Sequence, residues 1–126
     1  MTPFGQKLRE LRAARGLRLK DMAAALQITP AYLSALEHGR RGRPSWRLVQ
    51  TIIGYFNVIW DEAEEIERLA RLSHPRIVID TAGLSPRATE LANLLSERIT
   101  LLSSAEIEKL IEAIPARPRR GTSRNA

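Results

Sequence analysis

No cysteine occurs among the 126 residues, which excludes disulfides, thiolate zinc sites and cysteine nucleophiles. Histidine occurs only at His38 and His74, too few and too far apart for a metal site, and both read as loop or helix-end residues. Aromatic side chains are sparse, at 5%. No apolar run approaches the roughly 20 residues that span a bilayer. Residues 1–7 are not followed by the apolar stretch of a secretory signal. Ser34, Ser45 and Ser85 have no histidine and carboxylate at a spacing that suggests a triad, so they read as caps or surface hydroxyls. These absences lead to the expectation of a cytoplasmic chain that is not an enzyme and has no membrane contact, metal or cofactor.

Charge is plentiful but uneven. Residues 1–47 carry ten Lys or Arg against three acids, residues 48–114 carry six against eleven, and residues 115–126 add four arginines and no acid. A basic front and tail around an acidic middle suit a polyanion held by one surface, because screening confines the attraction to about a Debye length. Scattered charge that only keeps the chain soluble would look similar. Spacing has to decide between the two.

The chain is long enough for one modest core, or for a small domain with an appendage. Thr2 suits an N-cap and Pro3 the first turn of a helix carrying Phe4, Leu8 and Leu11, which Gly16 ends. A short helix over Leu19–Leu26 has Met22, Ala23 and Leu26 on one face, and Gln27-Ile28 makes a tight corner. Thr29 and Pro30 start a third helix with Leu33 and Leu36 as its apolar stripe, closed by Gly39. After the arginine-rich loop 40–44, Ser45 opens a fourth helix with Leu48, Val49, Ile52, Ile53 and Phe56, ended by Asn57. A fifth helix spans 60–73, acidic at its start, and Trp46 and Trp60 read as packing residues.

Beyond His74-Pro75 the texture changes. Residues 76–80 form the one β-like run, predicting a short strand. Ser85-Pro86 starts a sixth helix with Ala88, Leu91, Leu95, Ile99 and Leu102 on one stripe. Ser103 and Glu106 form a capping box for a seventh, carrying Ile107, Leu110, Ile111 and Ile114. Residues 115–126 lack large apolar side chains and read as a disordered basic tail. The expected fold is therefore all-α: a five-helix domain over 1–73, a short strand and a two-helix element over 74–114, and the tail.

Two eight-residue helices joined by a tight corner are the geometric content of a helix-turn-helix, whose second helix enters the major groove. Residues 6–60 resemble the Cro/C1-type (XRE) family of helix-turn-helix regulators. The resemblance lies in Leu8-Arg-Glu-Leu-Arg-Ala-Ala-Arg-Gly16, in Met22-Ala-Ala-Ala-Leu26, in Thr29-Pro-Ala-Tyr-Leu-Ser-Ala-Leu-Glu-His-Gly39 and in Pro44-Ser45. It implies a structural ion pair between Arg12 and Glu37. It places groove contacts on Thr29, Pro30, Ala31, Tyr32, Ser34 and Ala35. Arg18 or Lys20 stands where the family often has a phosphate-anchoring glutamine, Gln27 replaces a corner glycine, and the 40–43 loop is one residue longer than the common form. The third helix exposes no Arg, Asn or Gln for bidentate base contacts. Readout then rests on Tyr32, Ser34 and small methyls, with Arg40, Arg41, Arg43 and Arg47 on phosphate or in the minor groove.

The resemblance implies a homodimeric repressor of transcription on a palindromic double-stranded operator. Ile77, Val78 and Ile79 would pair as strands across the dimer, and Leu91, Leu95, Ile99, Leu102, Ile107, Leu110 and Ile111 would pack there. In the alternative, both helices fold back on the fifth within a monomer. The tail arginines at 117, 119, 120 and 124 would add a DNA contact or do nothing. A second functional reading is an antitoxin-like or adaptor module that holds a protein partner, such as a toxin or another regulator. No effector domain is recognisable beyond Trp60, so no small-molecule inducer is expected.

Overall fold

The computed structural model describes residues 1–41 and 43–116. Contacts divide the chain into two units, Met1–Ile77 and Val78–Ala126. The first unit holds five helices: α1 (Pro3–Ala14), α2 (Leu19–Leu26), α3 (Pro30–Glu37), α4 (Trp46–Phe56) and α5 (Trp60–Arg71). The second holds α6 (Pro86–Arg98), a 3-10 turn over Ile99–Leu101, and α7 (Ser104–Ala113).

Local chemistry sets the helix starts. Thr2 Oγ1 accepts from Gly5 N at 3.1 Å, Thr29 Oγ1 from Tyr32 N at 3.1 Å, and Ser45 Oγ from Leu48 N at 3.2 Å. Each bond satisfies an amide that the helix itself cannot. Gln27 and Asn57 end α2 and α4 in the left-handed region, at φ 60° and 55°.

One apolar cluster holds the first unit together. Phe4 and Leu8 of α1, Met22 and Leu26 of α2, Leu33 and Leu36 of α3, Ile52 and Phe56 of α4, and Ile66 of α5 are all buried. Helix α1 packs on α3 and α5, α2 packs on α3 and α4, and α4 packs on α5. Gly5 lies where α1 crosses the end of α3: a methyl there would overlap the Leu36 carbonyl oxygen and come within 2.9 Å of the Glu37 oxygen. Buried Ser73 ties the far end of α5 to the start of α1, its Oγ accepting from Phe4 N at 2.9 Å and donating to the Leu69 carbonyl at 2.5 Å. Arg15 donates to the Phe56 carbonyl at the end of α4 and lies over the Phe56 ring, 5.0 Å from its centroid.

Two expectations are corrected. The strand predicted over 76–80 is absent: among the described residues all regular structure is helical, and this run is irregular. β-branched residues favour an extended backbone only where a neighbouring strand takes their amides and carbonyls, and no such neighbour exists in the described chain. Ile77, Val78 and Ile79 are exposed instead. The expected packing of Trp46 and Trp60 also fails, since they are 67% and 80% exposed.

In the second unit, Asp80 Oδ1 accepts from Ala82 N at 2.9 Å and Gly83 adopts φ 81°, building the turn before α6. Ser85 caps α6, and Ser103 and Glu106 form a reciprocal capping box on α7. Neither helix buries a single residue. Residues 117–126, including the four tail arginines, lie outside the described residues.

Candidate nucleic-acid interface

Helix α3 has two distinct sides. Leu33, Leu36 and Glu37 are buried, whereas Thr29, Pro30 and Ala31 are exposed and Tyr32, Ser34 and Ala35 half-buried. The N-terminal turn therefore points outward while the C-terminal turn is gripped by the core. Arg12 supplies the grip. Its Nε donates to Glu37 Oε2 at 2.7 Å, its Nη2 donates to Oε1 at 2.9 Å, and its Nη1 donates to the Leu17 carbonyl at 3.0 Å. The fork geometry fixes direction as well as distance. The Glu37 side chain is 1% exposed and that of Arg12 26%. The bond to Glu37 raises the Arg12 pKa above its ordinary value, outweighing the cost of burial.

The loop after α3 begins where Arg40 N donates to the Ala35 carbonyl at 2.9 Å, a bond that closes the helix and starts the arginine run beside it. Arg40, Arg41, Arg43 and Arg47 are exposed, and none pairs with an acid among the described residues. Lys20 is likewise exposed and free of an ion pair, whereas Arg18 is engaged by Asp21 at 2.8 Å. Of those two candidates, Lys20 is the more available charge.

Two residues outside the sequence-based set adjoin this surface. Gln27, exposed in the α2–α3 corner, lines a cleft of about 570 Å3 with Tyr32, Arg47 and Thr51. Its amide offers a paired donor and acceptor in bidentate geometry, which no side chain on the exposed face of α3 has. Its position as a glycine substitute drew attention to its backbone and away from its side chain. His38 caps the end of α3 with Nδ1 2.8 Å from the Ser34 carbonyl. A carbonyl can only accept, so in this bond Nδ1 carries the proton and Nε2 is the acceptor of the neutral ring.

Of the proposed dimer residues, Leu91, Ile99, Ile107, Leu110 and Ile111 are exposed, and Leu95 and Leu102 half-buried. Among the described residues no three His, Asp or Glu side chains cluster as a metal site, and no helix is long and apolar enough to cross a membrane.

Comparison with known proteins places residues 3–74 under a family model described as a helix-turn-helix domain. The chain is 46% identical over 93 residues to the HTH-type transcriptional regulator DdrOP3 of Deinococcus deserti, a match covering 73% of this chain and 64% of that protein. It is 38% identical over 61 residues to an uncharacterized HTH-type transcriptional regulator, RghRB, of Bacillus subtilis, covering 48% and 44%. The match thus spans less than two thirds of either relative. A solved SinR protein/SinI protein complex aligns at 20% identity with TM-score 0.41, over 77% of this chain and 98% of that one.

Proposed function

The chain belongs to the helix-turn-helix domain family, in the XRE type that its residues resemble, and from that premise we propose that it binds duplex DNA as a homodimeric transcriptional repressor. One observation carries the reading: an outward N-terminal turn of α3, clamped from behind by Arg12 and Glu37, stands beside four exposed arginines that no acid neutralises among the described residues. Short α3 enters the major groove with Thr29, Pro30, Ala31, Tyr32, Ser34 and Ala35 toward the bases. Gln27 adds an amide at its leading edge. Arg40, Arg41, Arg43, Arg47 and Lys20 take phosphate, with Arg18 held partly by Asp21.

Dimerisation rests on the second unit. Two helices that bury nothing leave Leu91, Leu95, Ile99, Leu102, Ile107, Leu110 and Ile111 wet or half-wet, and a second copy covers them. Ile77, Val78 and Ile79 contribute side-chain burial there rather than strand pairing. Two modules then read a palindrome.

Selection from random duplexes tests the whole reading, with a palindromic consensus expected. Replacing Arg40, Arg41 and Arg43 by alanine should flatten the salt dependence by about 0.9 in slope for each phosphate that is no longer neutralised; an unchanged slope refutes their role. The same uncovered helices favour a second reading, an antitoxin-like or adaptor module whose α6 and α7 hold another protein. A stoichiometric co-purifying partner, together with no enriched DNA motif, supports that reading instead.

A further inference from the structure

Two clefts adjoin the N-terminal turn of α4. One runs along α3 and belongs to the interface above. The other, of about 600 Å3, runs between α4 and the last turns of α5, ending at His74. Its volume lies within the roughly 300–1,000 Å3 range of small-molecule sites.

The lining of this second cleft is chemically mixed in a way that specifies a ligand. Buried Pro44, Val49 and Ala70 supply apolar surface. Trp46 lies along it, 67% exposed at the start of a helix that the Ser45 cap fixes, so an aromatic face is within reach of an occupant. Arg43 and Arg71 bring two positive charges and His74 an imidazole, and none of the three pairs with an acid among the described residues. Glu67 is the acid in the cleft, and its carboxylate accepts from Gln50 Nε2 at 2.7 Å. An aromatic face beside guanidinium groups suits a planar ring carrying an anion, because guanidinium meets carboxylate through two parallel bonds. Glu67 works against a dianion such as a phosphomonoester and leaves room for a single negative charge.

We propose that this cleft binds a small aromatic carboxylate. Arg43 belongs both to the cleft and to the arginine loop, so an occupant that engages Arg43 withdraws it from DNA. That coupling rests on the DNA-binding reading above, whereas the binding site itself does not. It also departs from the sequence-based expectation that no small-molecule inducer acts here, an expectation that looked for a separate effector domain.

Naphthoate and its neutral amide, naphthamide, are the probes, and the indole N–H resonances of Trp46 and Trp60 are the readout on the full chain. Naphthoate should shift the Trp46 resonance saturably with a midpoint on the order of 1 mM, what a ligand of about a dozen non-hydrogen atoms reaches at ordinary efficiency. Trp60 should stay put. Naphthamide should bind several-fold more weakly, and Arg71→Ala should weaken naphthoate by about tenfold. Equal response to acid and amide, a linear shift of both tryptophans, or a Trp46 resonance that moves with duplex DNA but not with naphthoate overturns the site. Saturating naphthoate should weaken DNA binding, and DNA should weaken naphthoate binding by the same factor. Should the chain bind no DNA while Trp46 still takes naphthoate, the repressor reading falls and the site stands.

Discussion

Glu37 is a carboxylate with almost no access to water, and its position is tolerable only because Arg12 meets both of its oxygens. Removing one partner leaves the other's charge stranded. Arg12→Ala should therefore cost about 2–3 kcal/mol in urea unfolding, toward the low end for a buried pair because Arg12 reaches solvent. The double replacement Arg12→Met with Glu37→Leu should recover most of that loss, since an apolar pair of similar size has no charge to desolvate. A single variant as stable as the parent would remove the clamp from the account. Gln27 is the opposite case, a residue that costs stability where it stands. Its φ of 60° is a conformation that side chains with a Cβ disfavour by roughly 1–2 kcal/mol. Gln27→Gly should be neutral or stabilise by up to about 1 kcal/mol, the glycine's extra freedom in the unfolded chain offsetting part of the relief. The same change should weaken DNA binding at least threefold; unchanged affinity would mean that the Gln27 amide reads nothing. Neither residue's partner is visible in spacing alone. Arg12 and Glu37 lie 25 positions apart, and only the family resemblance suggested that they meet.

Helix starts were legible because a cap is a contract between residues three apart. Thr2, Thr29, Ser45, Ser85 and Ser103 each accept from the amide three positions on. The run 76–80 misled for the complementary reason: its β-branched residues state a preference that only a partner strand can realise, and the described chain supplies none. Exposure of Trp46 was equally hidden, because whether an aromatic is covered depends on α5, some 20 residues away. The capping box of α7 gives a test that depends on pH. Glu106 Oε1 accepts from Ser103 N at 2.9 Å, and bonds from the Ser103 backbone and then its side chain hold the Glu106 pKa below the ordinary 4.5. A lowered folded value means that the ionised form stabilises the helix start above the ordinary pKa, and that this help disappears as pH falls through the folded one. The Ser103 amide resonance should therefore move as pH drops below 4.5, and in Glu106→Gln that titration should vanish. A wild-type amide that does not titrate would show the box open in solution.

Across the whole molecule, the apolar burial is lopsided: every buried hydrophobic side chain among the described residues belongs to Met1–Ile77, and α6 and α7 have none. Isolated helices of 13 and 10 residues are marginal in water, because nucleation costs more than so few turns return. Their capping bonds add only about 1 kcal/mol each. A second copy that covers Leu91, Leu95, Ile99 and Ile111 changes the balance, since burying a leucine or isoleucine is worth roughly 1.5–3 kcal/mol. On the dimer reading proposed above, helicity of the second unit is linked to association. Dilution from tens of micromolar to well below one micromolar should remove far-ultraviolet ellipticity equivalent to α6 and α7. Amide protection of Leu33 and Ile52 in the first unit should not change. Leu95→Asp should reproduce the dilute spectrum at every concentration and reduce DNA binding to the weak affinity of a lone module. Constant helicity through the dilution, with sedimentation reporting a monomer throughout, would mean that α6 and α7 stand without a partner copy, and the dimer would have to be abandoned.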